Sequence, residues 1–209
     1  MPRPSTAAAR RTELLPQLAR AFARIGYRRA TTAELARRCA VPENTLFRLW
    51  RDKKRMYLAA LDHLYERTVA VWREQLAAAG AGSAAEQLLA YEGLHYGEHG
   101  LYRIVFTGLS EIDDRDVRRA LARMYRRFHE FVAECIAGHR RRHRDADGDP
   151  GRLAWAVIGM ATIAGIGREL GLLRAAEQRA LFARVGRSLL DGALPPPPPP
   201  PPSRSRGPS

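Results

Sequence analysis

Apolar residues recur along most of the chain at intervals of three and four, the spacing of one face of an α-helix. The first stripe, Leu14, Leu15, Leu18, Phe22 and Ile25, stops at Gly26, a residue suited to ending a helix. Pro16 falls inside this stripe, and proline is tolerated in a first turn, so ordered helix is predicted to start near Thr12 or Glu13. A capping box, Thr31-x-x-Glu34, announces a second helix with Leu35 and Ala36 on its buried face, ending near Cys39–Ala40. Ala40-Val41-Pro42 is long enough only for a tight turn. Pro42 suits the first position of a third helix, about Glu43 to Leu49, with Leu46 and Trp50 inward. Asp52 is placed to cap a fourth, which carries Met56, Leu61, Leu64, Val69 and Trp72 on one face and ends before Gly80. Further helices are predicted over 84–99, 101–112, 115–139, 151–170 and 175–192, with loops at Asp113-Asp114 and from His143 to Gly151. Alternating β-branched runs are missing, so the fold class is all-α.

The pattern divides the chain into a flexible basic N-terminus (1–11), a small helical head (12–52), a larger helical body (53–194) and a tail (195–209). The tail opens on eight consecutive prolines, which cannot bury a core and should be extended or disordered. It reads as a spacer, or as a ligand for an SH3-like domain.

Charge sharpens this picture. The net charge is +13, yet residues 1–60 hold 14 Lys and Arg against 4 Asp and Glu, while the other 149 hold 21 against 18. A basic head on a nearly neutral body suggests a polyanionic partner, nucleic acid or an anionic membrane surface. No run of about 18 apolar residues exists, so no membrane span is expected. Met1 to Arg11 lacks the apolar core of a secretory signal. Cys39 and Cys135 sit in apolar-periodic segments and read as buried reduced thiols, consistent with a cytoplasmic protein.

Two short helices joined by a tight turn inside a basic segment are the sequence form of a helix-turn-helix. The second helix must lock on the first by an apolar face, here Val41, Leu46 and Trp50, and expose polar side chains to the major groove. Glu43, Asn44, Thr45 and Arg48 supply that exposed face. Arginine can bond guanine bidentately, asparagine adenine, and threonine can offer a methyl to thymine. Lys53, Lys54 and Arg55 follow at a helix start, where backbone N–H groups also favour phosphate. Gly-rich phosphate loops, nucleophile elbows and metal-ligand sets are missing, so neither an enzyme nor a cofactor is expected. A nonspecific, nucleoid-type DNA binder is the alternative reading.

Ala21-Phe22-Ala-Arg-Ile-Gly26-Tyr27, Thr31-Thr32-Ala-Glu34-Leu35-Ala36, Val41-Pro-Glu-Asn-Thr45-Leu46-Phe47-Arg48-Leu-Trp50 and Asp52-Lys53 together resemble the DNA-binding domain of the TetR family of bacterial repressors. The resemblance covers about fifty residues. It implies a homodimer with an N-terminal three-helix DNA-binding domain and a larger C-terminal helical domain for ligand binding and dimerisation. Its partners would be a palindromic double-stranded operator and a small, hydrophobic or aromatic effector. Carried over by position, Thr45 and Arg48 face bases with Pro42, Glu43 and Asn44 beside them, and Thr31, Thr32 and Lys53 touch phosphates. Phe47 stands where the family has Tyr, Leu49 where it has His, and Ala40 where it has a turn Gly. The last departure fits only if Ala40 avoids positive φ.

In the body, Tyr91, His95, Tyr102, Phe106, Met124, Phe128 and Trp155 are candidates to line the effector pocket. His95-x-x-Glu98-His99 has metal-chelating spacing but no further ligand obviously paired with it, so no metal is expected. The segment Gly151 to Glu169 is apolar nearly all round, and the last helix adds further apolar positions. A dimer interface formed by these two helices would use Trp155, Ile158, Ala161, Leu181, Val185 and Leu189.

Overall fold

A computed structural model describes residues 6–78, 83–95, 101–143 and 149–191, and no strand occurs among them. The helices are α1 (Thr6–Ile25), α2 (Thr32–Arg38), α3 (Glu43–Trp50), α4 (Lys53–Ala78), α5 (Ala84–His95), α6 (Leu101–Leu109), α7 (Arg115–His143), α8 (Pro150–Glu169), α9 (Ala175–Leu181) and α10 (Arg187–Leu190). A π-helical turn, Phe182–Gly186, joins the last two. The side chain of Tyr102, residues 96–100 and the polyproline tail lie outside the described residues, and with them the expectations for Tyr102, Glu98 and His99.

The start of α1 corrects the sequence reading. The helix begins at Thr6, so Pro16 lies in its interior and most of the segment expected to be flexible is helical. A proline there removes one backbone hydrogen bond, but Leu14, Leu18, Ala21 and Phe22 are all buried against the head, and that packing sustains the helix through it. At its C-terminus α1 ends as expected, on Gly26 at φ +80°.

Helices α1, α2 and α3 close around Leu18, Phe22, Leu35, Leu46 and Trp50. Helix α4 carries this core into the body, and Met56, Leu61, Leu64, Val69 and Trp72 are buried along it, the face its spacing predicts. In the body α4 and α5 pack on α7, and α7 packs on α8. Cys39 and Cys135 are both buried free thiols, and burial pushes Cys135 up to about 11.

Helix α6 sits where head meets body, touching α1, α4 and α7. Tyr57 of α4 is fully buried and donates its hydroxyl to the carbonyl of Ile104 at 2.7 Å. Gly108, one turn further along α6, is what allows this: a Cβ there would collide with the Tyr57 hydroxyl. Gly108→Ala is therefore expected to destabilise the fold by about 2 kcal/mol, the range of overpacked sites. Urea unfolding of the single variant beside Gly108→Ala/Tyr57→Phe checks this, because deleting the hydroxyl should recover part of the loss. Three ion pairs bind the same junction: Arg28–Glu111 at 2.6 Å, Lys54–Asp114 at 3.1 Å and Lys54–Asp116 at 2.9 Å.

Candidate nucleic-acid interface and effector cavity

The turn between α2 and α3 is anchored at both ends. Thr31 caps α2 by accepting the Glu34 N–H at 3.2 Å. The reciprocal half of the expected capping box is replaced, because Glu34 turns to Arg37 and Arg38 at 2.8 and 2.6 Å. Those guanidiniums hold its half-buried carboxyl down to about 2. Ala40 takes φ +52°, so the expectation that it avoids the left-handed region is overturned. The short connection demands this geometry: the Ala40 and Val41 N–H groups bond back to the carbonyls of Arg37 and Ala36 at 3.2 and 3.1 Å. A left-handed alanine costs about 1 kcal/mol, and Ala40→Gly should raise the unfolding free energy by about that much in urea titrations.

Leu46, Leu49 and Trp50 face the core, leaving Pro42, Glu43, Asn44, Phe47 and Arg48 exposed on the opposite side and Thr45 half-buried between. Burial of Leu49 accounts for an apolar residue there, and its carbonyl accepts a hydrogen bond from Arg11 Nε at 2.8 Å. Arg48 has no ion-pair partner among the described residues, so its guanidinium projects unspent from the outer face of α3. Thr32 donates its hydroxyl to the Glu43 carboxylate, tying the start of α2 to the start of α3.

Lys53 has a structural duty that sequence reasoning missed. Its ammonium donates to the carbonyls of Tyr27 and Ala30, both at 3.0 Å, and lies 4.6 Å from the Tyr27 ring centroid. The first residue of α4 thereby fastens the α1–α2 loop. Asp52 caps α4 as its position predicts, accepting the Arg55 N–H at 2.7 Å.

The body encloses a cavity of about 140 Å³. Tyr91, His95, Phe106, Met124 and Phe128 line it. Trp155 does not: it is 53% exposed on the outer face of α8, with its ring against His129. Ile158 and Ala161, expected at a dimer interface, are half-buried and line the cavity, and Leu189 is buried in the chain's own core. Helical phase explains the division. Trp155, Gly159 and Ile163, four residues apart, share the outward face of α8, while Val157, Ala161 and Ala164 turn inward. Ile163 is 64% exposed and Val185 43%, so apolar surface of α8 and of the π-turn faces outward, with Leu181 half-buried beside it.

Glu92 is among the cavity residues not picked out from the sequence. Glu92 of α5 accepts a hydrogen bond from Trp72 Nε1 at 2.6 Å. Burial outweighs that bond and the nearby His95, pushing the carboxyl up to about 7. The available signal was its position four residues after Leu88, an acid on the apolar face of α5. A second group, Glu86, His139 and His143, brings three ligand-type atoms within 4.8 Å of one another. Glu86 and His139 are 53 positions apart, too far for local spacing to connect them.

An exposed polar face on α3, a basic head and a cavity-bearing helical body define a helix-turn-helix domain joined to a larger helical domain. More narrowly, residues 14–60 match the sequence model described as bacterial regulatory proteins, tetR family. The whole chain shares its fold with regulators of that family. A TetR-family transcriptional regulator from Cytophaga hutchinsonii is 17% identical, with a TM-score of 0.75, and the match covers 91% of this chain and 98% of that one. The reduced form of E. coli NemR is 18% identical, with a TM-score of 0.72 over 85% of this chain and 96% of that one. FadR from Bacillus subtilis, solved with stearoyl-CoA, is 14% identical, with a TM-score of 0.66 over 87% and 98%. Among curated proteins no sequence matches the chain. No described helix is long and apolar enough to cross a membrane.

Proposed function

We propose that the protein is a homodimeric repressor that leaves a palindromic operator when a small effector fills the body cavity. The observation that carries this reading is the placement of α6. Val105 and Phe106 line the cavity, while Thr107, the next residue, lies against Gly26 at the end of α1. A ligand that displaces α6 therefore acts on the head through a packed contact and through the ion pairs at the same junction. Its leverage on DNA binding equals its differential affinity for the two head positions.

Two recognition helices entering successive major grooves must lie about 34–36 Å apart. The outward apolar face of α8 and the π-turn, with Trp155, Ile163 and Val185, supplies the surface on which two copies would pair. Arg48 and Thr45 read bases, with Asn44 and Glu43 at the rim of the contact. Pro42 and Phe47 pack along the groove. Thr31 reaches phosphate, Thr32 stands beside it, and Lys53 retains a third ammonium N–H for the same purpose.

Selection from a random DNA library tests the reading. A palindromic consensus is expected for the native chain, and Arg48→Ala should weaken binding by about 1–3 kcal/mol per half-site while blurring one position of it. Thr45→Ala should blur a neighbouring position. Binding without a consensus, equally weakened by salt for every sequence, would identify a nonspecific binder instead.

A further inference from the structure

The chemistry of the cavity narrows the class of effector, on the premise that the cavity is the effector site. Its wall is apolar and aromatic, including Trp72, Phe106, Phe128 and Val157. Among the described residues, Glu92 is its one carboxylate, and neither Lys nor Arg lines it. We propose that the effector is an apolar molecule bearing one basic amine, whose ammonium pairs with Glu92 among the aromatic rings of the cavity.

Trp72 Nε1 occupies one carboxylate oxygen, fixing the group and leaving the second oxygen for a ligand. Even with the Trp72 N–H and His95 nearby, a charge in so apolar a cavity is unfavourable, and an arriving ammonium supplies a direct ionic partner. The Trp72, Tyr91 and Phe128 rings add favourable cation–π contacts. A carboxylate ligand has the opposite fate, because it meets Glu92 and has only His95 to offset the repulsion.

The charges around Glu92 are few. On α5, His95 acts on it from one turn away, and on α4 Trp72 donates to it. From α7, Tyr125 and Cys135 line the same cavity, and burial raises both above their usual values, which keeps them neutral near pH 7. The residues that α6, α8, the π-turn and α10 place in the wall carry no ionisable group. Affinity for an ammonium should therefore follow ionisation of Glu92 itself. It should rise roughly tenfold per pH unit up to about pH 7 and then level off.

The experiment is calorimetric titration of the full chain with three probes of one skeleton: phenylbutylamine, phenylbutanol and phenylbutanoate. The amine is expected to bind at least tenfold more tightly than the alcohol at pH 7.5, and the acid more weakly than either. At pH 6 the amine should release close to one proton on binding, read from two buffers of different ionisation enthalpy. Glu92→Gln should remove the preference for the amine and leave alcohol binding within about twofold. If the alcohol matches the amine, or Glu92→Gln keeps the preference, this inference is overturned while an apolar effector site still stands. If none of the three binds, the effector reading of the cavity falls and this inference with it.

Discussion

Glu92→Gln should make the protein more stable, by about 3 kcal/mol at pH 8, and should change nothing at pH 4. The carboxyl is pushed up to about 7 in the folded chain by burial, against an ordinary value of 4.5. Between those limits the folded state holds a proton that the unfolded state has released, so stability falls as pH rises through this window. Above pH 7 the native protein must keep a desolvated charge in its apolar cavity, at a cost of about 3 kcal/mol. Glutamine has the same shape, can still accept the Trp72 N–H, and never ionises. Urea unfolding of both proteins at pH 4, 6 and 8 measures the effect. Parallel stability profiles would show that the carboxyl is solvated and ionises normally. A native protein that carries such a penalty in its cavity is consistent with a site tuned for a ligand rather than for stability.

Lys53→Met should lose about 2–3 kcal/mol of folding free energy. Methionine keeps much of the apolar stem beside Tyr27 but deletes the ammonium that joins the carbonyls of Tyr27 and Ala30. Hydrogen bonds to a charged group are worth more than neutral ones, and the two carbonyls would have to find water in its place. The variant also separates two roles at one position. If the remaining N–H meets a phosphate, the slope of log affinity against log salt should fall by about one. Lower stability with an unchanged slope would assign Lys53 to the scaffold alone.

Much of the fold was legible because its signals are local. Glycine at the end of α1, the threonine cap of α2, the aspartate cap of α4 and the apolar stripe from Met56 to Trp72 each act over a few residues. The helix-turn-helix is equally local, which is why the outward side chains of α3 could be named in advance. Errors arose where a distant contact outvoted a local preference. Pro16 argues for a late start to α1, but burial of Leu14, Leu18 and Phe22 holds the helix from Thr6. Ala40 prefers negative φ, but the short α2–α3 connection leaves its backbone only the left-handed turn.

The sequence by itself determined the all-helical class, the exposed polar face of α3 and the concentration of positive charge in the head, because spacing, caps and composition are properties of neighbours. Only the tertiary structure decided which apolar side chains of the body face a cavity and which face outward. Periodicity gives the phase of one helix and not what the next helix brings against it. That is why Trp155, named for both the pocket and the dimer interface, faces outward, while Ile158, three residues on along α8, lines the cavity. It is also why the environment of Glu92 emerged only once α4 had carried Trp72 to within hydrogen-bonding distance, 20 positions away in the chain. The field at an ionisable group is set by everything packed around it, and that packing is assembled from residues far apart in sequence.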